Sequence, residues 1–113
     1  MISQADIWQA DLAEPLGSAS GYRRPVVVVQ GDALNQSRIG TVVCVPLTSN
    51  LKWAQAPGNV LLSKQATGLE KDSVANVSQV VALDKQQLGE RVGKISRRQL
   101  ERVLTGIDIV LGR

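Results

Sequence analysis

The sequence predicts one mainly β domain over residues 1–113, a small barrel of short strands with a single helix near its C-terminus. Two apolar runs carry the β prediction, because residues 26–29 are all valine and residues 41–47 are almost unbroken. Such runs are typical of strands that are buried on both faces or curled into a barrel. An apolar stripe at helical spacing after Ser96 predicts the helix. A chain of this length can bury about two-thirds of its unfolded surface, so no disulfide is needed.

The first part of the chain alternates apolar runs with polar connections. Residues 7–12 form the first predicted strand, in which Trp8 packs against the barrel. Residues 13–22 are rich in Gly, Ser and Ala, which indicates a loop, and loops often carry binding or catalytic groups. Residues 31–38 form a polar connection that should hold one helical turn capped by Asp32.

The middle of the chain contains further short strands. Pro46 should end the strand over residues 41–47, because proline cannot donate to a sheet ladder. Residues 59–62 predict a short strand, and Gly68 marks a turn in the polar connection that follows. Residues 73–83 predict one long strand interrupted by three polar side chains, which face either solvent or a ligand groove: Asn76, Ser78 and Gln79.

The last third of the chain carries the clearest local signals. Residues 84–88 should form a turn of helix, and residues 90–94 the final short strand. Ser96 and Gln99 form a capping box at the start of a helix, a device worth about 1 kcal/mol. The apolar stripe of this helix must be covered. It comprises Leu100, Val103, Leu104, Ile107, Val110 and Leu111.

Charge and residue types narrow the chemistry. Thirteen basic against ten acidic residues give a net charge of +3, which favours polyanionic partners. The chain has no histidine, which removes Ser-His-Asp and Cys-His sites and a paired-histidine ribonuclease mechanism. With one cysteine, a zinc site also lacks ligands, so we expect no metal and no cofactor. Cys44 is interpreted as core filler, and nothing resembles a signal peptide or a spanning segment, so we expect a cytoplasmic protein.

A candidate phosphate site lies where two predicted strands meet. Pro25 favours extended backbone at Arg24, which places Arg24 at the start of a strand. From that position its guanidinium can point towards a bound phosphate. It can bind a phosphate bidentately and stabilise charge on its oxygens. Thr48 follows the next strand, and its hydroxyl can donate to a phosphate oxygen. The structural alternatives are an ion pair of Arg24 with Asp11 or another acid, and a turn in which the Thr48 hydroxyl closes the strand.

A second candidate contact with nucleic acid follows in the next loop. Trp53 can stack on a base while the adjacent Lys52 meets a phosphate. The alternative is that Trp53 packs against its own barrel.

Short sequence pieces in a set order extend over essentially the whole chain. They are Asp6-Ile7-Trp8, Asp11-Leu12, Gly17-Ser18, Gly21, Arg24-Pro25-Val26, Asn35, Val45-Pro46-Leu47-Thr48-Ser49, Pro57-Gly58-Asn59-Val60, Gly68-Leu69, Lys71-Asp72-Ser73, Gln79, Leu83-Asp84 and Leu88-Gly89. In order and spacing this set resembles the MazF/PemK (Kid) family of toxin endoribonucleases. The resemblance implies an SH3-like barrel of the CcdB/PemK type and a homodimer. It also implies metal-independent cleavage of single-stranded RNA at short motifs, and inhibition by a cognate antitoxin with an acidic C-terminal tail.

The resemblance also implies roles for individual residues. It places catalytic work on Arg24 and Thr48, and acid or base work on the arginine. A guanidinium holds its proton to above about pH 12, so we expect phosphate stabilisation and leaving-group assistance instead. Many members carry Glu-Gln where this chain has Ala19 and Ser20, which leaves the general base and the recognised bases open. The expected substrate contacts are Ser18, Ser20, Tyr22, Ser49, Asn50, Lys52, Trp53, Asn76, Ser78 and Gln79.

Two classes of function stay open. The first is an endoribonuclease that uses the 2'-hydroxyl of mRNA to form a 2',3'-cyclic phosphate and a 5'-hydroxyl. The second is a non-catalytic toxin or binding module on the same barrel, such as a CcdB-like gyrase poison or a protein that only binds RNA or its antitoxin. Arg24 with Thr48 favours the enzyme. The PemK branch carries an arginine and an aspartate where this chain has Asn76 and Ser78, so Ala19 and Ser78 leave room for the alternative.

Overall fold

The computed structural model describes residues 1–12 and 23–113, which form a barrel-like antiparallel sheet and a C-terminal helix. The strands in these ranges are β1 (Asp6–Asp11), β2 (Arg23–Val28), β3 (Thr41–Thr48), β4 (Val60–Leu62), β5 (Ser73–Ala75), β6 (Val81–Asp84) and β7 (Leu88–Lys94). The helices are α1 (Asp32–Asn35), α2 (Lys64–Thr67) and α3 (Arg97–Leu111), with 3₁₀ turns at Leu51–Gln55, Val77–Gln79 and Lys85–Gln87. The predicted mainly β class with a C-terminal helix is confirmed. None of the helices in these ranges is long and apolar enough to cross a membrane.

The sheet is organised around β3. The strand order is β4-β5-β3-β2-β1-β7, and β6 also pairs with β3. β3 pairs with β2 along one edge, and along the other it pairs first with β6 and then with β5. The register between β1 and β7 shifts on both sides of Trp8, as at a β-bulge. Bulges bend a strand and increase its twist, so these irregularities curve the sheet towards a barrel.

Both faces of the central strands are buried, as the valine run predicts. Val27 and Val45 belong to the larger core cluster, which includes the inner face of α3. Val26, Val28 and Cys44 belong to a second cluster on the other face of the strands. All five side chains are 0% exposed. Burial raises the pKa of the Cys44 thiol to about 12, so the thiol stays protonated as core filler.

β3 continues through Pro46 to Thr48, so the prediction that Pro46 ends the strand is wrong. Pro46 lies between Cys44, the last residue paired with β6, and Leu47, the first residue paired with β5. At this change of partner the sheet needs no ladder bond from the proline nitrogen. The Pro46 carbonyl still accepts a hydrogen bond from Asn76 N at 3.0 Å.

The prediction of one long strand over residues 73–83 is also wrong. This segment divides into β5, the 3₁₀ turn at Val77–Gln79, and β6. Asn59 holds the turn, since its Oδ1 accepts from Val77 N at 3.1 Å and its Nδ2 lies 3.4 Å from Asn76 Oδ1. The polar side chains in this segment therefore belong to a break between two strands and do not alternate across one.

The turn of helix after β2 is confirmed, but its predicted cap is wrong. Gly31 is the N-cap of α1, and Asp32 is the first residue of the helix. The Asp32 carboxylate accepts instead from Gln4 N at 2.8 Å and from Asn35 Nδ2 at 3.1 Å. It therefore ties the N-terminal segment to α1.

The C-terminal helix α3 begins where the sequence predicts. Ser96 Oγ accepts from Gln99 N at 3.2 Å, and Leu100 and Val103 are buried. Towards the end of the helix, however, Val110 is 39% and Leu111 is 61% exposed. The barrel therefore covers the start of the stripe, and the last turn stays exposed in the single chain.

A buried carboxylate fastens β1 to β7. The Asp6 side chain is 2% exposed, and its Oδ1 lies 3.1 Å from Arg91 Nε and 3.5 Å from Lys94 Nζ. Ser3 N and Trp8 Nε1 donate to its Oδ2 at 2.9 and 3.3 Å. Burial acts to raise the pKa of Asp6, but the hydrogen bonds from Ser3, Arg91 and Trp8 outweigh it, so the pKa lies below its ordinary value. We call these five residues the Asp6 network, and they confirm a structural role for Trp8.

Candidate phosphate-binding cleft

Arg24 and Thr48 lie at the same end of neighbouring antiparallel strands. β2 and β3 pair as far as Val26 and Pro46, so Arg24 and Thr48 each lie two residues beyond the last pair, at the same end of the two strands. On its other edge, β2 pairs with β1 from Arg23 to Val27, so Arg24 has the extended backbone that Pro25 favours. The two strands thus carry the predicted guanidinium and hydroxyl at the same end of the sheet.

Both residues line one open cavity of about 790 Å³, which we call the cleft. A volume of this size is in the range of ligand sites. Its walls come from five strands and from the loop between α2 and β5. The lining residues are Gln9, Arg23, Arg24, Pro25, Leu47, Thr48, Ser49, Asn50, Gly68, Leu69, Glu70, Lys71, Ser73 and Val92. The cleft therefore gathers four predicted site residues: Arg24, Thr48, Ser49 and Asn50.

The Thr48 hydroxyl is oriented by the backbone that follows it. Its Oγ1 accepts from Asn50 N at 3.2 Å, which is the turn named above as its structural alternative. A hydroxyl oxygen that accepts this bond still carries its own proton and can donate to an anion at the same time. The turn and a phosphate-binding role are therefore compatible. Asn50 Oδ1 in turn accepts from Lys52 N and caps the 3₁₀ turn at Leu51–Gln55.

The charge of the cleft is predominantly positive. Arg23, Arg24 and Lys71 line it, against one carboxylate, Glu70. Within residues 1–12 and 23–113, neither Arg23 nor Lys71 forms an ion pair. Cations on a concave surface attract and concentrate anions, so the cleft suits a phosphodiester backbone.

Three of these charged residues are absent from the site predicted by sequence. Arg23 has a signal in the sequence, because it forms a doublet with Arg24 before the proline. Lys71 belongs to the Lys71-Asp72-Ser73 piece of the family resemblance, whereas Glu70 has no such signal. Both reach the cleft through the way the loop after α2 folds onto β7. No periodicity or local motif encodes that approach.

The start of this loop is packed against β7. Gly68 is the C-cap of α2 with left-handed backbone at φ 81°, and Leu69 N donates to Thr67 Oγ1 at 3.1 Å. Thr67 is buried, and a Cβ on Gly93 of β7 would lie 2.6 Å from the Thr67 carbonyl oxygen. Glycine at position 93 therefore lets the loop approach β7 closely.

The end of the same loop is fixed to β5. Asp72 Oδ1 accepts from Lys64 N at 2.8 Å, and Ser73 is buried and pairs with Leu62 of β4. The segment that carries Glu70 and Lys71 therefore runs from its contact with β7 to β5, which pairs with β3 at Thr48. It forms a separate wall of the cleft.

Other predicted contacts lie on a neighbouring surface around Asn59. Trp53 is 46% exposed, and Lys52 Nζ lies 5.3 Å from the centre of its ring. Asn59 Nδ2 donates to the Trp53 carbonyl oxygen at 2.9 Å. Asn76 Oδ1 receives Asn59 Nδ2 and Ser78 Oγ, each at 3.4 Å. Asn76 therefore acts mainly in holding this surface together, whereas the exposed Trp53 ring is available for stacking.

The remaining predicted residues divide into two groups. Gln79 is exposed at the end of the 3₁₀ turn at Val77–Gln79. Ser18, Ser20 and Tyr22 lie outside the described residues.

In the described part of the chain, no three acidic or cysteine side chains come together as a metal site would require.

Known proteins match this chain in sequence and in fold. The family model for the PemK-like, MazF-like toxin of type II toxin-antitoxin system matches residues 3–111. The chain is 44% identical over 111 residues to Endoribonuclease MazF2 of Mycobacterium bovis, covering 98% of this chain and 97% of that protein.

Solved structures repeat the fold. An endoribonuclease in complex with its cognate antitoxin from Mycobacterial species gives a TM-score of 0.80 at 20% identity, over 99% of this chain and 96% of the other. MazF from Deinococcus radiodurans gives 0.81 at 22% identity, over 99% and 97%. Because the family model and a close relative both cover nearly all of its length, the chain belongs to the family of PemK-like, MazF-like toxins of type II toxin-antitoxin systems.

Proposed function

We propose that this toxin endoribonuclease cleaves single-stranded RNA, in particular mRNA, at a short motif by attack of a ribose 2'-hydroxyl on the adjacent phosphate, without a metal ion. The observation that carries the proposal is the meeting of Arg24 and Thr48 at one end of a basic cleft. The name of the M. bovis relative, Endoribonuclease MazF2, supports RNA as the substrate class.

The reaction makes limited demands on the protein. The 2'-oxygen forms a bond to phosphorus, and the bond from phosphorus to the 5'-oxygen of the next nucleotide breaks. The 2'-hydroxyl proton passes to an acceptor, and the departing 5'-oxygen takes up a proton. The products are a 2',3'-cyclic phosphate and a 5'-hydroxyl. Since the RNA supplies the nucleophile, the protein must position the chain, stabilise charge and move protons.

Arg24 and Thr48 can stabilise the transition state together. The Arg24 guanidinium can bind the scissile phosphate through two donors and offer a proton towards the departing 5'-oxygen. The Thr48 hydroxyl can donate to a non-bridging oxygen while it accepts from Asn50 N. Donors held in place in this way contribute a few kcal/mol of transition-state stabilisation, about 2–4 in comparable sites. Arg23 and Lys71 add positive charge for flanking phosphates.

We extend the RNA path from the cleft to the exposed tryptophan. Ser49 and Asn50 line the cleft and lead directly into the 3₁₀ turn that carries Lys52 and Trp53. A base stacked on Trp53 would place its phosphate near Lys52, an arrangement that tolerates any base sequence. The further proposed contacts are Ser18, Ser20, Tyr22, Asn76, Ser78 and Gln79.

We also propose a homodimer and an antitoxin that competes with RNA. Ile109 and Leu111 are 54% and 61% exposed at the end of α3, and a second copy of the chain could bury them. An antitoxin with an acidic C-terminal tail could lie in the cleft, with carboxylates in place of phosphates. We expect these partners to meet in the cytoplasm, where mRNA is translated.

These partner proposals are tested by sedimentation and by competition. Sedimentation at micromolar concentration should give a dimer, and the antitoxin should displace an RNA that is protected by a 2'-deoxy substitution. A monomer that cleaves at full rate contradicts the dimer. A ternary complex of toxin, antitoxin and this RNA contradicts the shared cleft.

The reaction itself is tested with purified protein, a defined RNA and EDTA. We expect cleavage in EDTA, with a 2',3'-cyclic phosphate and a 5'-hydroxyl at the new ends. Loss of cleavage in EDTA contradicts metal independence, and cleavage beside a 2'-deoxy nucleotide contradicts 2'-hydroxyl attack. RNA binding with no cleavage under any condition would favour the non-catalytic binding module.

A further inference from the structure

We propose that Glu70 reads a base of the bound RNA: it accepts a hydrogen bond from an amino group of the base and disfavours uracil at one position of the cleavage motif. The inference rests on the proposed function, because it requires RNA in the cleft. It addresses the sequence specificity of cleavage, whereas the roles proposed for Arg24 and Thr48 address the chemical step.

The charge of Glu70 is the first observation. It is the only carboxylate among the described residues that line the cleft, which otherwise carries Arg23, Arg24 and Lys71. In the described part of the chain no cation lies within ion-pair distance of Glu70. Glu70 therefore forms no direct ion pair with the described cations that line the same cleft. Glu70 is exposed, and an ionised carboxylate accepts hydrogen bonds and repels phosphates, so the part of a bound RNA that suits it best is a neutral donor group.

The position of Glu70 is the second observation. Arg24 and Thr48 lie at the ends of β2 and β3, whereas Glu70 lies on the loop that spans from β7 to β5. Because Arg24, Thr48 and Glu70 line the same cleft, a nucleotide whose phosphate is bound at the strand ends can place its base against this loop. Leu69 and Val92 line the cleft beside Glu70 and offer apolar surface to the face of that base.

The chemistry of the bases decides what Glu70 accepts. Proteins read single-stranded RNA through hydrogen bonds to the exposed edges of its bases. Adenine, guanine and cytosine each present an exocyclic amino group, which can donate to a carboxylate. Uracil presents one N–H between two carbonyl oxygens, and these oxygens repel a carboxylate. Glu70 should therefore favour an amino-bearing base and discriminate against uracil.

The test compares cleavage motifs by sequencing the ends produced from a random RNA library. Glu70→Gln keeps the shape of the side chain but adds an amide donor that can bind a uracil carbonyl. We expect this variant to admit uracil at one motif position, by roughly tenfold in relative cleavage. Glu70→Ala should lose the preference at that position without favouring uracil. The matched control is Glu90→Gln, an exposed carboxylate of β7 outside the cleft lining, which should leave the motif unchanged.

The outcomes separate this inference from the proposed function. An active wild-type protein with the same motif in both Glu70 variants contradicts base reading alone. Turnover that falls equally at every site, with the motif preserved, would assign Glu70 to proton transfer and also contradict base reading. A wild-type motif that specifies only uracil would contradict it as well. A wild-type protein that cuts no RNA contradicts the proposed function itself.

Discussion

Two groups of basic side chains on this barrel differ in what surrounds them. In the Asp6 network, Arg91 and Lys94 share a carboxylate whose side chain is only 2% exposed. In the cleft, Arg23 and Lys71 border an open volume of about 790 Å³ and have no acidic partner within the described residues. The same residue types thus stabilise the fold in one place and are available to an anion in the other. A buried counter-charge makes the difference, and residue type alone does not reveal it.

The largest expected effect comes from substituting one arginine of the cleft and one arginine of the Asp6 network. Arg24→Ala should lower kcat on RNA by about 10²–10³, because it removes a donor aimed at the reacting phosphate. Arg91→Ala should leave kcat within a few-fold and lower the melting temperature instead, because its partner is Asp6. Single-turnover cleavage at saturating RNA and thermal melting of both variants measure the two effects. Equal losses of turnover would remove the functional distinction between the two groups.

An intermediate effect should follow from the buried carboxylate. Asp6→Asn should lower the free energy of unfolding at neutral pH by about 1–3 kcal/mol, because Arg91 and Lys94 lose their charged acceptor. The folded pKa of Asp6 lies below the ordinary 3.8, so the ionised group stabilises the fold fully above that value. This stabilisation is lost as the pH falls through the lowered folded pKa.

The wild-type protein and Asp6→Asn should therefore differ most at neutral pH and converge in acid. Urea denaturation at a series of pH values measures the gap. Asp108→Asn is the matched control, because Asp108 forms an ion pair with Arg113 in which both side chains are more than half exposed. Exposed pairs contribute little, so this control should stay within about 1 kcal/mol of wild type at every pH. A gap for Asp6→Asn that does not narrow in acid would contradict the ionised network.

Local patterns in the sequence predict the elements of this fold well. The valine run gives a strand buried on both faces, and Val26 and Val27 do enter different core clusters. Ser96 starts α3 as predicted, because a cap depends only on the residues of one turn. Pro25 and the strand ends likewise allow Arg24 and Thr48 to be proposed together, since both sit at boundaries that the pattern marks.

The parts that sequence reasoning missed depend on contacts between distant segments. Pro46 stays within β3 because the strand changes its pairing partner there. Residues 73–83 divide into two strands where the Asn59 side chain accepts a hydrogen bond from the 3₁₀ turn between them. Glu70 enters the cleft because its loop packs on β7. A periodic pattern reports burial and spacing along one segment, so it contains no information on these approaches.

The smallest expected effect is on the salt dependence of RNA binding, and it comes from substituting one lysine of the cleft and one lysine of the Asp6 network. Lys71 lines the cleft, whereas Lys94 Nζ donates to the Gln4 carbonyl oxygen at 2.9 Å and lies 3.5 Å from Asp6 Oδ1. A lysine that binds a phosphate of single-stranded RNA releases a counterion, and each such contact adds about 0.7 to the slope of log affinity against log salt. Lys71→Ala should therefore reduce the slope by roughly that amount and weaken binding of a 2'-deoxy-protected RNA at low salt. Lys94→Ala should leave the slope unchanged, because its ammonium is already paired with Asp6 and lies outside the cleft lining. Equal slopes for the two variants, measured over the same salt series, would mean that the open cleft does not hold the RNA backbone more closely than the Asp6 network does.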